Sequence, residues 1–124
     1  MTSKDQRKHP RVPTSNLISF TVYDDDGQIV SQSMAKALNI SQGGILLESA
    51  VRLKSDHISL MSADTRDQLV EIKGRVRFVK ETESGMFEIG ISFEGNHDEN
   101  VEFAKRLVKV FHYRKTSPFD PLSL

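Results

Sequence analysis

The stretch Gln-Leu-Val-Glu-Ile-Lys-Gly-Arg-Val-Arg-Phe-Val-Lys, residues 68–80, alternates apolar and polar side chains along its length. Every second residue of an extended chain points to the same side, so this pattern predicts a β-strand with one buried face. The opposite face carries mainly charged side chains, which suits contact with water. The residues on the apolar face are Val70, Ile72, Gly74, Val76 and Phe78.

Shorter segments of the same kind lie on both sides of this strand. The residues 82–85, Thr-Glu-Ser-Gly, form a turn signal before a second strand at 86–94. Four more strands are predicted towards the N-terminus, at 17–23, 28–40, 44–48 and 57–61, and the turn Asp-Asp-Asp-Gly at 24–27 joins the first two. Six short strands separated by turns indicate a small antiparallel β-barrel or sandwich.

The segment from Asp98 to Lys115 changes from a period of two to helical spacing. Its apolar residues Val101, Ala104, Leu107, Val108 and Phe111 recur on one helical face. The sequence therefore predicts four parts: an N-terminal arm at 1–13, a β-barrel at 14–95, a C-terminal α-helix at 96–115 and an irregular tail at 116–124.

Two further apolar residues of this helix, Phe103 and Val110, lie off the main stripe. One interpretation is that they form a second exposed face, which would make a homodimer or dock a protein partner. The alternative is that the barrel wraps far enough around the helix to cover both faces.

Composition limits the class of protein. The chain has 124 residues, 37% hydrophobic and 27% charged, which suits one globular domain. No apolar run is long enough to span a membrane, and no apolar core marks a secretory signal. There is no cysteine, and the four histidines do not have metal-ligand spacing. The net charge of zero makes a general nucleic-acid binder unlikely.

Two short motifs carry the candidate site. Arg7 and Arg11 form an R-x-x-x-R in the basic arm, with Lys8 between them. Asn39 and Ser41 begin an N-x-S-x-x-G that ends in Gly43 and Gly44. Guanidinium groups can bind phosphates and guanine edges, and a turn of small polar residues allows close approach of a ligand to the backbone.

With the motifs in this order, and with the hairpin at 74–93, residues 7 to about 94 resemble the PilZ domain, a bacterial receptor for cyclic di-GMP. The resemblance implies an antiparallel six-stranded barrel with a C-terminal helix, a cytoplasmic location, no catalytic activity, no cofactor and cyclic di-GMP as the ligand. It implies ligand contacts by Arg7, Arg11, Asn39, Ser41 and Gly44. Three more candidates are Lys8, Gly43 and Arg77. With no output domain in the sequence, the signal would pass in trans to an unidentified protein partner.

Simpler interpretations of the motifs remain. Arg7 and Arg11 can be solvated surface charges, and Asn39–Gly44 can be only a tight turn. Two other functions also remain open. One is a PilZ-like adaptor that binds no nucleotide and acts through protein contacts. The other is a small β-barrel that binds single-stranded nucleic acid, which would require basic residues among exposed aromatic ones.

Overall fold

The computed structural model describes residues 12–63 and 66–116, and the side chains of residues 16–63 and 66–112. The described chain forms six strands and one helix. They are β1 (Val12–Tyr23), β2 (Ile29–Ile40), β3 (Gly44–Ser49), β4 (His57–Ala63), β5 (Leu69–Glu81), β6 (Phe87–Phe93) and α1 (His97–Thr116). Val12 and Pro13 therefore belong to β1 and not to the predicted arm.

The strands close into a barrel in the order β1-β2-β3-β6-β5-β4, and every neighbouring pair is antiparallel. The long strands are β1, β2 and β5, and β5 passes from one neighbour to the other along its length. Residues 19–23 of β1 pair with β4, and β5 pairs with β4 through residues 69–75 but with β6 through residues 74–81. The predicted antiparallel six-stranded barrel with a C-terminal helix is confirmed.

The core lies inside the barrel and under α1. Its side chains come from alternate positions of each strand, as the period of two requires. The fully buried side chains at its centre include Leu47 of β3, Leu60 of β4, Ile89 of β6 and Leu107 of α1. Burial of each such side chain contributes about 1.5–3 kcal/mol to folding.

The alternation of β5 breaks at Arg77. The register passes from Val76↔Ile91 to Phe78↔Gly90, so Arg77 is an extra residue in a β-bulge. Beyond the bulge the faces exchange, and Val79 packs against the core while Phe78 is 51% exposed. The expectation that Phe78 points inward with Val76 is therefore wrong.

A second irregularity lies in β2. The register with β3 shifts between Ala37 and Asn39, which leaves Leu38 as the extra residue. Ala37 and Ile40 point into the core and are fully buried, whereas Leu38 is only partly buried. The bulge bends the end of β2 just before the Asn39–Gly44 turn. Bulges of this kind commonly redirect the side chains that follow them.

The helix α1 begins with a capping box. The Asn96 side-chain oxygen accepts a hydrogen bond from the Glu99 backbone N–H at 2.8 Å, and the Glu99 carboxylate accepts one from the Asn96 backbone N–H at 2.9 Å. The helix packs across the barrel against β5 and β1. Acidic residues in its first turn also favour its positive end.

Both apolar faces of α1 are covered by the barrel. Phe103 and Val110 are only 4% and 3% exposed, and the Phe103 ring meets Phe93 edge-on, with 5.4 Å between ring centroids. The interpretation that Phe103 and Val110 form an exposed interface is therefore wrong, because the barrel wraps around the helix. In the described part of the chain, no helix has the length and apolar character needed to cross a bilayer.

Candidate functional site

The turn between β2 and β3 carries the N-x-S-x-x-G motif. The Ser41 backbone N–H donates to the Gly44 carbonyl oxygen at 2.8 Å, which closes the turn. Asn39 is partly buried and pairs with Pro13 of β1 on one side and with Leu46 of β3 on the other. The motif is thus held between two neighbouring strands at one end of the barrel.

The Ser41 side chain is 8% exposed and takes part in the turn. Its Oγ accepts a hydrogen bond from the Gly43 N–H at 3.3 Å and donates one to the Gly44 carbonyl oxygen at 3.4 Å. Both distances are long for hydroxyl hydrogen bonds, so each is weak. The Ser41 hydroxyl therefore stabilises the turn, and a ligand that bonds to this hydroxyl would compete with these two hydrogen bonds.

Gly44 is required by the fold. A Cβ atom at this position would overlap the carbonyl oxygen of Ile91 on β6, so no other residue fits without a shift of the backbone. The neighbouring Gly43 is exposed, and its carbonyl oxygen accepts a hydrogen bond from the Phe93 N–H at 2.9 Å. Strands β3 and β6 thus approach closely at the turn.

The basic part of the candidate site, Arg7, Lys8 and Arg11, lies outside the described residues. Its point of attachment is described, because Val12 is the first residue of β1 and pairs with Ile40. Ile40 stands between Asn39 and Ser41, and Arg11 is covalently joined to Val12. The start of β1, which follows the R-x-x-x-R segment in the sequence, therefore lies beside the N-x-S-x-x-G turn.

Arg77, the residue of the β5 bulge, also lies beside this turn. Its Nε donates to Ser92 Oγ at 2.7 Å, and Ser92 is the strand partner of Gly44. Nearby Arg75 is neutralised by Glu94 at 3.0 Å, but Arg77 forms no ion pair with any carboxylate of the described residues. The structure thus brings together Asn39, Ser41, Gly43, Gly44 and Arg77.

An apolar strip continues from the turn across the outer face of the barrel. Asn39 pairs with Leu46, Leu46 pairs with Gly90, and Gly90 pairs with Phe78. The Phe78 ring lies on Gly90, where a Cβ would collide with it, so glycine leaves room for the ring on the outer face. The strip crosses four strands, so at about 4.8 Å between neighbouring strands it is about 14 Å wide.

Sequence reasoning missed Phe78 and Ser92 as parts of this surface. Ser92 gave no signal by itself, because its importance comes from its partners on two other strands. Phe78 did give one: it is followed directly by Val79, and two adjacent apolar residues cannot both face the core of a regular strand. That break in the alternation is a signature of a bulge.

Concave regions of the barrel lie away from the turn. A groove of about 580 Å³ runs between β5 and α1 and includes Ile72 and Phe103, and a depression of about 400 Å³ surrounds His57.

Comparison with known proteins agrees with this geometry. The sequence model of the PilZ domain matches residues 5–109, which include both motifs. A search of curated protein sequences found no match.

Solved structures with the same fold include PilZ proteins from several bacteria. The PilZ domain of Escherichia coli YcgR with c-di-GMP has a TM-score of 0.63 at 9% identity, and covers 94% of this chain and 99% of its own. The K. pneumonia MrkH–c-di-GMP complex has a TM-score of 0.57 at 18% identity, covering 84% of this chain and 51% of MrkH. Bacillus subtilis MotI (DgrA), an inhibitor of motility, has a TM-score of 0.56 at 13% identity, with 84% and 52% covered.

The chain therefore spans about half the length of MrkH and MotI and nearly all of the YcgR domain. At these identities the neighbours establish the fold, while the sequence model covers most of the chain and includes both motifs. The closed barrel, the start of β1 beside the β2–β3 turn and the covering helix are all consistent with that match, and the chain belongs to the PilZ domain family.

Proposed function

We propose that this protein is a cyclic di-GMP receptor that binds its ligand on the outer surface beside the β2–β3 turn. One observation carries the proposal. Val12, which follows the R-x-x-x-R segment in the sequence, pairs with Ile40, which lies within the N-x-S-x-x-G motif. The ligand-bound PilZ structures of YcgR and MrkH support the choice of ligand.

The charges of this surface fit a cyclic dinucleotide, which carries two phosphate charges and two guanine bases. Arg7 and Arg11 supply two planar guanidinium groups that can bind phosphates or guanine edges in pairs of hydrogen bonds. Arg77 offers a third, because its Nε is fixed by Ser92 and its charge is not balanced by a described carboxylate. Lys8 adds a further positive charge to the arm.

The apolar strip offers a place for a base. Phe78 is half exposed, and its ring lies over Gly90, the strand partner of Leu46. Stacking of a base on an aromatic side chain is worth about 1–3 kcal/mol. We propose that one guanine contacts Asn39 and Ser41 while the remainder of the ligand extends over the strip towards Phe78.

The proposed mechanism is ordering of the arm. Free of ligand, the arm carries several like charges next to one another; the dianion joins Arg7 and Arg11 to the barrel and so favours one arm conformation. The protein would be a cytoplasmic receptor without catalytic activity, and an unidentified protein partner would recognise the ordered arm.

A calorimetric titration with cyclic di-GMP, GTP and cyclic di-AMP tests the proposal. Cyclic di-GMP should bind, and Arg11→Ala should weaken binding by about 1.5–3 kcal/mol, the usual worth of a hydrogen bond to a charged group. Arg106→Ala is the matched control, because it removes an arginine that is paired with Glu102 on α1. Absence of heat and of any thermal shift with saturating cyclic di-GMP would refute the receptor function.

The adaptor alternative has one observation in its favour: Ser41 and Gly44 both have tasks in the fold, so the turn motif is explained without a ligand. Phe78→Ala separates the two. A receptor that uses the strip loses about 1–3 kcal/mol of affinity while it remains folded. An adaptor that binds no nucleotide shows no heat in the wild type or in the variant.

A further inference from the structure

The first half of β2 has a free backbone edge. Residues 29–35 pair with β1 on one side, but β3 pairs with β2 only from Lys36 onward, where Lys36 meets Glu48. Among the described residues, no strand pairs with the other edge of residues 29–35. Barrels normally remove edges by closure, so an open segment of this length within a closed barrel is a departure from the rule.

This edge lacks the features that usually prevent strands from pairing with other chains. Natural edges are protected by charged residues, prolines or bulges, or are covered by another element. The segment Ile-Val-Ser-Gln-Ser-Met at 29–34 has no charged residue, proline or glycine, and all six residues are exposed. Ile29, Val30 and Met34 are large apolar side chains that are 59%, 44% and 55% exposed.

We propose that this edge pairs with the same edge of a second copy of the chain, antiparallel and across a two-fold axis at Gln32. In that register Val30 faces Met34 of the second copy, Ser31 faces Ser33, and Gln32 faces Gln32. Apolar residues therefore meet apolar ones and polar residues meet polar ones. A sequence that matches its own reverse in this way is suited to itself as a partner.

The charges near the edge lie outside the segment that would pair. At one end, Lys36 pairs with Glu48 of β3, with 3.7 Å between its Nζ and a carboxylate oxygen. At the other end, the Asp24 carboxylate accepts a hydrogen bond from the Gln28 backbone N–H at 2.9 Å within the acidic turn Asp24–Asp26. The segment between them, residues 29–35, is uncharged, so two copies paired through it bring no like charges opposite each other.

The interface would leave the ligand surface free. Gln32 and Asn39 lie on the same strand, about 23 Å apart at 3.3 Å per residue. The proposed ligand surface is at the Asn39 end of β2, and the open edge is at the other end. Pairing over a few residues buries little surface, which predicts a weak, concentration-dependent dimer. Its presence or absence is independent of whether cyclic di-GMP binds.

Cysteine cross-linking tests the register, because the natural chain has no cysteine. Directly opposed residues of antiparallel strands are about 4.5–5.5 Å apart at Cα, which is within disulfide range. Gln32→Cys should cross-link to itself under mild oxidation. Ser31→Cys should cross-link to Ser33→Cys in a mixture more readily than either does alone. Ser84→Cys, exposed in the β5–β6 turn, is the control for random collision.

A charge series tests the same register without oxidation. Ser31→Lys with Ser33→Lys places like charges opposite each other and should abolish self-association in sedimentation equilibrium at micromolar to millimolar concentrations. Ser31→Lys with Ser33→Glu places opposite charges there and should retain or strengthen it. Both substituted positions are exposed, so both variants should fold, as circular dichroism and thermal unfolding will show.

Three outcomes would overturn the proposal. One is a wild type that sediments as a monomer throughout this range. Another is cross-linking of Gln32→Cys no faster than that of Ser84→Cys. The third is a monomer whose edge amides are protected from exchange, which would mean that a terminal segment of the chain itself covers β2.

Discussion

The two halves of β2 differ in how many partners they have. Residues 36–40 pair with β1 on one side and β3 on the other, whereas residues 29–35 have β1 as their one partner among the described strands. Burial follows the pairing: Ala37 and Ile40 are fully buried, and residues 29–34 are exposed on both faces. We therefore call residues 36–40 the doubly held half of β2 and residues 29–35 the singly held half.

This difference shows how one strand can serve two purposes. The candidate ligand surface follows the doubly held half, where strands on both sides fix Asn39 and Ser41 before any ligand arrives. Fixed side chains lose little entropy on binding, which favours affinity. No described strand pairs with the second edge of the singly held half, which suits that edge to contacts with another chain.

Hydrogen exchange should show the largest contrast between the halves. At low protein concentration, amides of residues 36–40 should exchange only with opening free energies close to that of global unfolding, about 5–15 kcal/mol. Amides of residues 29–35 that point away from β1 should be nearly unprotected. Mass spectrometry or NMR will measure this, and equal protection of both halves in the monomer would show that the free edge does not exist.

Gly44→Ala tests the doubly held half directly. The added methyl group meets the Ile91 carbonyl oxygen, and we expect a loss of about 3 kcal/mol in the free energy of unfolding. Gly27→Ala is the control in the β1–β2 turn, where φ is 80° and the surrounding space is open, so only about 1 kcal/mol should be lost. Denaturant unfolding of both variants gives the comparison, and equal losses would contradict it.

Much of the fold could be predicted from the sequence, because the buried positions of a regular strand recur at every second residue and are occupied by apolar side chains. In the first half of β5, each inward residue such as Val70 and Ile72 is apolar and each outward one is polar except Leu69, so the strand and its orientation were predictable. The prediction failed after Arg77, where one extra residue exchanged the faces and put Phe78 outside. A bulge depends on the partner strand, which a local pattern does not contain.

The helix shows a second limit. Its spacing predicted the apolar stripe, but the stripe alone did not decide what covers Phe103 and Val110. Covering them requires the curvature of the barrel, which is a property of all six strands together. For the same reason the motifs predicted a site at Asn39 and Ser41 but not the contribution of Ser92, whose partners Arg77 and Gly44 lie on two other strands.

Ser41→Ala should have a smaller effect than Gly44→Ala. It removes two long hydrogen bonds inside the turn, and we expect a loss of about 1 kcal/mol in unfolding free energy. Ser33→Ala is the matched change in the singly held half, where an exposed serine should be neutral within about 0.5 kcal/mol. If both substitutions cost the same, the Ser41 hydroxyl has no structural task, and its place in the motif would require the ligand.

The smallest effect is expected at Lys36, where the two halves of β2 meet. Its Nζ lies 3.7 Å from a carboxylate oxygen of Glu48, and the two side chains are 45% and 26% exposed. A solvent-screened pair of this kind contributes about 0.5 kcal/mol or less, so Lys36→Ala and Glu48→Ala should each change stability little. A double-mutant cycle measures the coupling, which should fall further as salt is added.

A coupling well above 1 kcal/mol would mean that this ion pair fixes the point at which β3 stops. A small one would leave that role to the backbone, since β3 ends at Ser49, whose hydroxyl donates to the Val51 carbonyl oxygen at 2.9 Å and so turns the chain away from β2. We expect the second result, because a turn made by local hydrogen bonds determines the end of a strand more directly than a mobile pair of surface charges.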